Sequence, residues 1–333
     1  MRKNNMNFYM FKAPFRVPIK TPLVELQTRE VLIVEWQDID GHNYYGECNA
    51  FKTDWYHFET IESIKEVLTN WFKKHEFDQI NHYKLSCELI DELNDFPNAR
   101  SVMSMIFFQK FHELHDVKVE YGATVNHDIE TYFKQYNGQL PSRIKIKWHE
   151  AIKNDIVFLE KNYPNIQRAI DANGVLSQNE ISLLNTFEHQ NFIYIEQPFS
   201  TFDSYYEYHQ SLSLPIFIDE SGLNLEQIKK FNDSGIIDGV VIKPSRVGGI
   251  DKALEIIDYC KDHSLKYVIG GMYEFGLSGY FTAYLAEQSN YPSDITPSDY
   301  YFIDDIVSEK AVLENNKIIY SPPKIDVNKL MKY

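Results

Sequence analysis

The stretch FIYIEQP at residues 192–198 is a short apolar run that ends in a carboxylate, Glu196. The same form recurs at four other places, where an apolar run ends in a charged residue: Lys147, Asp171, Asp219 and Lys243. Successive members of this series are separated by 24, 25, 23 and 24 residues. One β-strand plus one α-helix has about this length, so the pattern predicts five charged side chains at the ends of five consecutive strands.

Outward from this stretch, the apolar runs continue in both directions. They occupy residues 121–125, 143–147, 167–171, 192–196, 216–219, 240–243 and 267–270, with a weaker eighth at 293–296. Amphipathic, helix-like segments lie between them, at 151–161, 181–189, 225–231 and 252–263. Seven or eight β-then-α units in series favour an α/β fold of the (β/α)₈ TIM-type barrel. A doubly wound open sheet is the alternative, because periodicity alone does not show closure.

The first part of the chain has a different pattern. Residues 31–36 and 44–48 flank an Asp-Ile-Asp-Gly turn and predict a β-hairpin. Helical patterns follow at 59–74, 84–93 and 99–114, so an N-terminal α+β domain is expected. We predict boundaries that give an α+β domain at 1–117, a barrel at 118–310 and a C-terminal segment at 311–333 that returns to the first domain.

Composition excludes several classes of function. A formal net charge of −15 argues against nucleic-acid binding, which needs concentrated Lys and Arg. No run has the length of a membrane span, and no secretory signal follows the first residues. The three cysteines, Cys48, Cys87 and Cys260, are few and far apart, which favours a reducing compartment. We therefore expect a cytoplasmic protein with no nucleic-acid or membrane partner.

The charged strand ends predict a metal site. Alternate side chains of a strand share a face, so Glu196 lies on the side of Tyr194, and the charges point into the barrel. Any one of them alone is explained by a solvated strand end or an ion pair. Three converging carboxylates call for a cation, and an all-oxygen site suits Mg²⁺. Zinc fits poorly, because no His or Cys pair lies at these positions, and calcium in a structural role is the alternative.

Lys147 and Lys243, beside the predicted metal, indicate acid–base catalysis. A metal ion and a second ammonium group would both lower the pKa of a lysine towards the working pH, as a general base requires. A base beside a metal-bound carboxylate describes proton abstraction α to that carboxylate.

The motifs resemble those of the enolase superfamily. The matching segments are KIK at 145–147, DAN at 171–173, IEQP at 195–198, IDES at 218–221 and VIKP at 241–244. The Lys-x-Lys pair at 145–147 and the later Lys243 resemble the lysine pattern of the muconate-lactonising subgroup. Within it, GGMYEFG at 270–276 and DITPSDY at 294–300 resemble segments of the o-succinylbenzoate synthases and the related N-succinylamino acid racemases.

The resemblance implies a role for each residue. Asp171, Glu196 and Asp219 would hold Mg²⁺, with Mn²⁺ as a substitute. Lys147 would be the general base, and Lys243 would face it across the substrate. The predicted substrate-binding residues are Lys145, Asn173, Gly271 and Met272. For Asn173, a turn residue before Gly174 is the alternative, and Glu220 is expected to be structural.

The resemblance also implies that the first domain caps the barrel. Its specificity loops would be residues 15–22 and 46–59, where aromatic side chains such as Phe51 and Trp55 could pack on the substrate. Packing of these two side chains within their own domain is the alternative.

The implied reaction is dehydration of 2-succinyl-6-hydroxy-2,4-cyclohexadiene-1-carboxylate to 2-succinylbenzoate, through an enediolate, in menaquinone biosynthesis. Alternatives are an N-succinylamino acid racemase or dipeptide epimerase, then muconate cycloisomerisation, and, from another class, a non-catalytic metal-binding scaffold. The sequence WHEA at 148–151 departs from the racemase pattern. The expected partner is a small anionic carboxylate substrate, and a homo-oligomer is left open.

Overall fold

The computed structural model describes residues 3–20, 24–125, 128–135, 140–187 and 191–333. The chain begins with three antiparallel strands: β1 (Asn5–Lys20), β2 (Glu25–Gln37) and β3 (Asn43–Glu47). Strands β2 and β3 form the predicted hairpin. In its turn, Asp38 Oδ1 accepts hydrogen bonds from the backbone N–H groups of Asp40 and His42, both at 3.0 Å.

The prediction of a loop at residues 15–22 is wrong for the part that the structure describes. Strand β1 continues to Lys20, and Phe15 bridges to Phe302 in the barrel. Residues 21 and 22 lie outside the described residues. Pro14 and Pro18 concealed the strand from a pattern search, and the pairing with β2 shifts register between Pro14 and Ile19. The edge of the first domain therefore reaches the barrel as a strand.

Three helices follow where the sequence predicted them: α1 (Ile61–Phe72), α2 (Tyr83–Ile90) and α3 (Pro97–Phe111). Helices α1 and α3 contact the sheet, and α2 packs on α3. Helix α1 begins at Thr60, whose side chain accepts a hydrogen bond from Ser63 N in a capping box. Helix α3 is buried on almost every side, because it lies between the sheet and the barrel.

The second part of the chain alternates strands and helices. After β4 (Val117–Glu120), seven parallel strands follow in chain order: β5 (Gly122–Val125), β6 (Arg143–Lys147), β7 (Gln167–Asp171), β8 (Phe192–Glu196), β9 (Ile216–Ile218), β10 (Gly239–Ile242) and β11 (Lys266–Ile269). Strands that are consecutive in the chain are neighbours in the sheet. The interleaved helices are α4 (Ile129–Gln135), α5 (Ile152–Asn162), α6 (Gln178–Leu184), α7 (Phe202–Tyr208), α8 (Leu225–Asp233), α9 (Pro244–Val247), α10 (Ile250–Asp262) and α11 (Gly276–Ala286).

The two faces of the strands divide as alternation predicted. Tyr194, Phe217 and Val241 belong to a cluster inside the barrel, and the Tyr194 and Phe217 rings stack with centroids 4.3 Å apart. Ile195 and Ile218 belong to the cluster that includes residues of the surrounding helices. The charged strand ends share the inner face, so they point to the barrel axis.

The eighth segment closes the barrel without forming a regular strand. Residues 293–296 lie between β11 and β5, where Asp294 N donates to Ile269 O at 3.0 Å and Gly122 N donates to Ile295 O at 3.2 Å. The (β/α)₈-type barrel with an N-terminal α+β domain is therefore confirmed, and the open doubly wound sheet is wrong. Helix α6 ends at Leu184, earlier than predicted, and residues 188 and 189 of that prediction lie outside the described residues.

The end of the chain contacts both parts of the molecule. Strands β12 (Val312–Glu314) and β13 (Lys317–Tyr320) form an antiparallel sheet with β4. Strand β14 (Met331–Lys332) pairs with Tyr9 and Met10 of β1. The exact domain boundaries stay a prediction. Among the helices of the described residues, none is both long enough and apolar enough to cross a membrane.

Candidate active site

A cavity of about 590 Å³ opens at the C-terminal ends of the barrel strands. All of the predicted site residues line it: Lys145, Lys147, Asp171, Asn173, Glu196, Asp219, Lys243, Gly271 and Met272. They come from loops or strand ends spread over residues 145–272, and the parallel barrel brings these ends to one rim.

Two of the three predicted metal-ligand carboxylates are buried and ion-paired. Glu196 and Asp219 are each 1% exposed. Lys145 Nζ lies 2.7 Å from Glu196 Oε2, and Lys243 Nζ lies 2.6 Å from Asp219 Oδ2. Arg246 Nη2 contacts the other oxygen of Asp219 at 2.5 Å. The lysines predicted to act on a substrate therefore also neutralise the predicted metal ligands.

The oxygens of the site suit a cation. Burial raises the pKa of Glu196 to about 8; Asp171 and Asp219 add to this rise, while Lys145 opposes it. A divalent ion beside these oxygens would favour the charged form of Glu196, and an all-oxygen donor set fits a hard ion such as Mg²⁺.

The three carboxylates do not form a tight cluster. Within the described residues, the group whose ligand atoms all lie within 4.8 Å of one another is Asp38, Asp40 and His42, in the β2–β3 turn. Lys110 Nζ lies 2.7 Å from Asp38 Oδ2 and already offsets part of that charge. At the barrel rim, the ion pairs with Lys145, Lys243 and Arg246 engage oxygens that a metal would use.

For Lys243, the protein's own groups act against the expected lowering of the pKa. Burial would lower the pKa of Lys243, but Asp219 and the other negative groups around it together outweigh burial, so the pKa is raised. The pKa of Lys145 is also raised, because Asp294, Glu196 and the other negative groups around it together outweigh its burial. The carboxylates dominate because they lie within hydrogen-bonding distance of the ammonium groups.

Two residues of the site were missed by the sequence reasoning. Asp294 Oδ2 lies 2.6 Å from Lys145 Nζ, and Arg143 Nη2 lies 2.5 Å from Asp294 Oδ1. These two cations hold the pKa of Asp294 below its usual range despite burial. Asp294 was within reach of the strand-end rule, because it lies in the weak eighth run. Arg246 carried no such signal, since it lies on α9 and not at a strand end.

Asn173 is a turn residue, as its alternative interpretation predicted, and its role in substrate binding stays a prediction. Its φ of +43° makes it a turn residue, and its backbone N–H donates to Asp171 Oδ1 at 3.2 Å. Its side-chain Nδ2 donates to Glu220 Oε1 at 3.3 Å.

The first domain covers one side of the cavity. Trp55 and Tyr56 line it, together with Tyr273 and Tyr301 of the barrel loops. Phe51 is buried under Arg29, whose guanidinium carbon lies 4.3 Å from the ring centroid. Trp55 therefore faces the cavity, whereas Phe51 packs within its own domain.

Polar contacts hold this cover against the barrel. Glu47 on β3 accepts hydrogen bonds from Phe275 N at 2.8 Å and Ser278 N at 2.9 Å, at the start of α11. Asn49 Nδ2 donates to Ser278 Oγ at 2.9 Å. The loop that carries Gly271 and Met272 is thereby fixed to the first domain.

Comparison with known proteins gives one family. Residues 132–322 match the family described as Enolase C-terminal domain-like. The o-succinylbenzoate synthase of Bacillus subtilis (strain 168) is 29% identical, over 95% of this chain and 91% of that protein. An N-succinylamino acid racemase of Thermus thermophilus is 26% identical, over 54% of this chain and 49% of that protein.

The fold has solved relatives of similar size. A crystal structure of an enolase superfamily member from Listeria innocua Clip11262 superposes with a TM-score of 0.83, covering 100% of this chain and 95% of that one. The two are 22% identical, so this likeness shows the fold alone.

Proposed function

Because the chain belongs to the enolase superfamily, we propose that it is a Mg²⁺-dependent o-succinylbenzoate synthase, a carbon–oxygen lyase. The observation that carries the proposal is the meeting of Lys147, Lys243 and three carboxylates in one cavity. The similarity to the Bacillus subtilis synthase supports it, because it spans nearly the whole of both chains.

The proposed reaction removes one proton and one hydroxide from the cyclohexadiene carboxylate. Asp171, Glu196 and Asp219 would hold Mg²⁺, which would supply the positive charge that stabilises the developing enediolate. Lys147 takes the proton α to the carboxylate and then gives it to the departing hydroxyl, so that water leaves and the ring becomes aromatic. Lys243, on the other side, contributes positive charge near the substrate carboxylate.

The aromatic cover would serve this chemistry in two ways. Trp55, Tyr56 and Tyr273 present ring surface to a cyclic substrate. Their bulk would also exclude water while the proton is held on Lys147. We place the reaction in menaquinone biosynthesis, in the cytoplasm, with a small anionic carboxylate as substrate. Whether the protein forms a homo-oligomer is left open.

The second candidate is racemisation of an N-succinylamino acid. It is favoured by the presence of a lysine on two different strands of the same cavity and by the similarity to the Thermus thermophilus racemase. The deciding experiment incubates the protein with Mg²⁺ and the cyclohexadiene substrate, and separately with N-succinylamino acids, while absorbance and optical rotation are followed. If the ultraviolet absorbance of the cyclohexadiene substrate does not change, while the optical rotation of the N-succinylamino acids does, the racemase is favoured.

The metal requirement is tested by removal and by substitution. Excess EDTA should abolish turnover, and added Mg²⁺ or Mn²⁺ should restore it. Asp171→Ala, Glu196→Ala and Asp219→Ala should each lose turnover, because each removes a proposed ligand. Asp40→Asn, in the acidic turn of the first domain, should keep wild-type activity and the same metal dependence. Full activity in excess EDTA would refute the metal site.

A further inference from the structure

Gln197 follows Glu196 directly, at the end of β8, and its environment is unusual. It is 3% exposed and has a φ of +43°, a left-handed backbone conformation that residues other than glycine rarely adopt. Such a conformation persists only where the surrounding contacts enforce it, and it is often found at functional sites.

The backbone of Gln197 is bound to the strand ends on both sides. Its N–H donates to Phe217 O on β9 at 2.7 Å. Its carbonyl accepts from Gly174 N at 2.6 Å, in the loop that follows Asp171. One residue therefore connects the ends of β7, β8 and β9, which carry or directly precede the three proposed metal ligands.

The side chain of Gln197 fixes the loop that contains Asp219. Its Oε1 accepts from Asp219 N at 2.9 Å and from Ser221 N at 3.1 Å. Its Nε2 donates to Ser221 Oγ at 2.7 Å and to Phe199 O at 2.9 Å. Both donors and both acceptor positions of the amide are thus used.

The left-handed turn explains how the amide reaches this position. In a continued strand, the residue after Glu196 would point away from the barrel axis, as Ile195 does. The positive φ instead turns the amide sideways, towards the backbone of Asp219. The hydrogen bonds to Asp219 and Ser221 offset the cost of this conformation.

We propose that Gln197 is a positioning residue that sets the separation of the Glu196 and Asp219 carboxylates for metal binding. The proposal rests on the proposed metal site, and it assigns to Gln197 no contact with the metal or the substrate. The amide holds the backbone of Asp219 at a fixed place relative to Glu196, while Lys243 and Arg246 hold its carboxylate.

The test measures Mn²⁺ binding to metal-free protein by electron paramagnetic resonance, without substrate. Gln197→Met keeps the length of the side chain but removes its four hydrogen bonds. Since groups that orient metal ligands are worth about 10–100-fold in metal affinity, its Kd for Mn²⁺ should rise by about that factor. Gln109→Met is the matched control, because Gln109 also bridges backbone groups, at Tyr45 and Met105, but lies in the first domain. It should keep the wild-type Kd.

Each other outcome also decides the matter. An unchanged Kd in folded Gln197→Met, or an equal rise in Gln109→Met, would overturn the positioning role while leaving the metal site in place. If Gln197→Met does not fold, Ser221→Ala is measured instead, because it removes the hydroxyl that accepts a hydrogen bond from Gln197 Nε2. A raised Kd for Mn²⁺ in this variant supports the positioning role, and an unchanged Kd overturns it. Wild-type protein that binds no Mn²⁺ would overturn both this proposal and the proposed metal site.

Discussion

At the scale of single residues, the cavity floor is a set of opposite charges buried together. Lys145 lies between Glu196 and Asp294, and Lys243 lies against Asp219. A buried charge without a partner is costly, so each member depends on its neighbours. The proposed metal would therefore compete with the ammonium groups for Glu196 and Asp219, while a substrate carboxylate would compete with these two residues for the ammonium groups.

Lys147 and Lys243, which both line the cavity, should differ in their effect on dehydration. Lys147→Ala removes the proposed base and should lower kcat by about 10⁴-fold, because general base catalysis is worth up to that amount. Lys243→Arg keeps the positive charge beside Asp219 and should retain a measurable fraction of activity. Rates of absorbance change with the cyclohexadiene substrate give the comparison, and exposed Lys153→Ala is the control.

The same variants separate the two candidate reactions. A racemase needs a base on each face, and arginine hardly releases its proton, so both variants would lose racemisation. Each would still exchange the α-proton of one enantiomer with solvent deuterium. Dehydration by Lys147→Ala at the wild-type rate would overturn the assignment of the base.

Glu47 should make the stability of the metal-free protein depend on pH. Burial raises the pKa of Glu47 to about 8, even though two backbone N–H groups oppose the rise. A carboxyl whose pKa is raised by folding contributes stability below its unfolded pKa and loses it as pH rises through the folded pKa. The free energy of unfolding should therefore fall between about pH 5 and pH 8, by on the order of 2–4 kcal/mol from this residue.

Urea unfolding at several pH values tests this dependence. Glu47→Gln should be less stable at low pH, because it loses one of two acceptors at the start of α11, and its stability should vary less with pH. Exposed Glu226→Gln should follow the wild type. If the free energy of unfolding of Glu47→Gln changes with pH as steeply as that of the wild type, the pH dependence belongs to other groups, such as Glu196.

At the scale of elements, the barrel depends on a segment that is not a regular strand. Residues 293–296 join β11 to β5 through a few hydrogen bonds, and they place Asp294 against Lys145. Closure requires close approach at Gly122, where a Cβ atom would lie 2.0 Å from Ser293 O. The absence of a side chain at Gly122 therefore allows the first and last segments to meet.

Gly122→Ala should destabilise the protein by about 1–3 kcal/mol, because overpacking forces the backbone to shift. It should also lower activity, since residues 293–296 would move together with Asp294. Gly222→Ala is the control: a Cβ atom there would meet its nearest neighbour at 3.4 Å, an ordinary contact. Thermal unfolding of both variants measures the difference, and equal stability would show that closure tolerates a side chain.

At the scale of the whole molecule, the cavity belongs to both domains. Arg100 on α3 donates to Gly248 O at 2.7 Å and pairs with Asp251 of α10 at 2.7 Å, while Glu47 binds the start of α11. Strand β14 adds the end of the chain to the first sheet. The cover is thus held at several points around the barrel rim, while Trp55 and Tyr56 face the cavity.

Bound product should protect the cover from proteolysis. The loop at residues 48–60 contacts the cavity through Trp55 and Tyr56, and ligand contacts would lower its opening rate. Cleavage within this loop, followed by mass spectrometry, should slow when 2-succinylbenzoate and Mg²⁺ are present. Cleavage in the β2–β3 turn at 38–42, away from the cavity, is the internal control. Equal rates with and without product would contradict closure over the substrate.

The sequence by itself determined the succession of β/α units and the set of charged strand ends, whereas closure of the barrel was decided by the contacts of residues 293–296. It could do so because alternation along a strand and the length of one β/α unit are local properties, so Lys147, Asp171, Glu196, Asp219 and Lys243 were found by spacing alone. The hairpin and the three helices of the first domain were predicted for the same reason.

Only the tertiary structure decided which charges touch. The pairing of Lys145 with Glu196 and Asp294, and of Lys243 and Arg246 with Asp219, joins segments far apart in sequence. Asp219 contributes to the raised pKa of Lys243, which spacing suggested would fall. The extension of β1 to Lys20 was also hidden, because its partner strand and Phe302, and not its own pattern, stabilise it. Spacing identifies residues that share a rim, whereas distances of a few ångströms between side chains depend on how the whole chain packs.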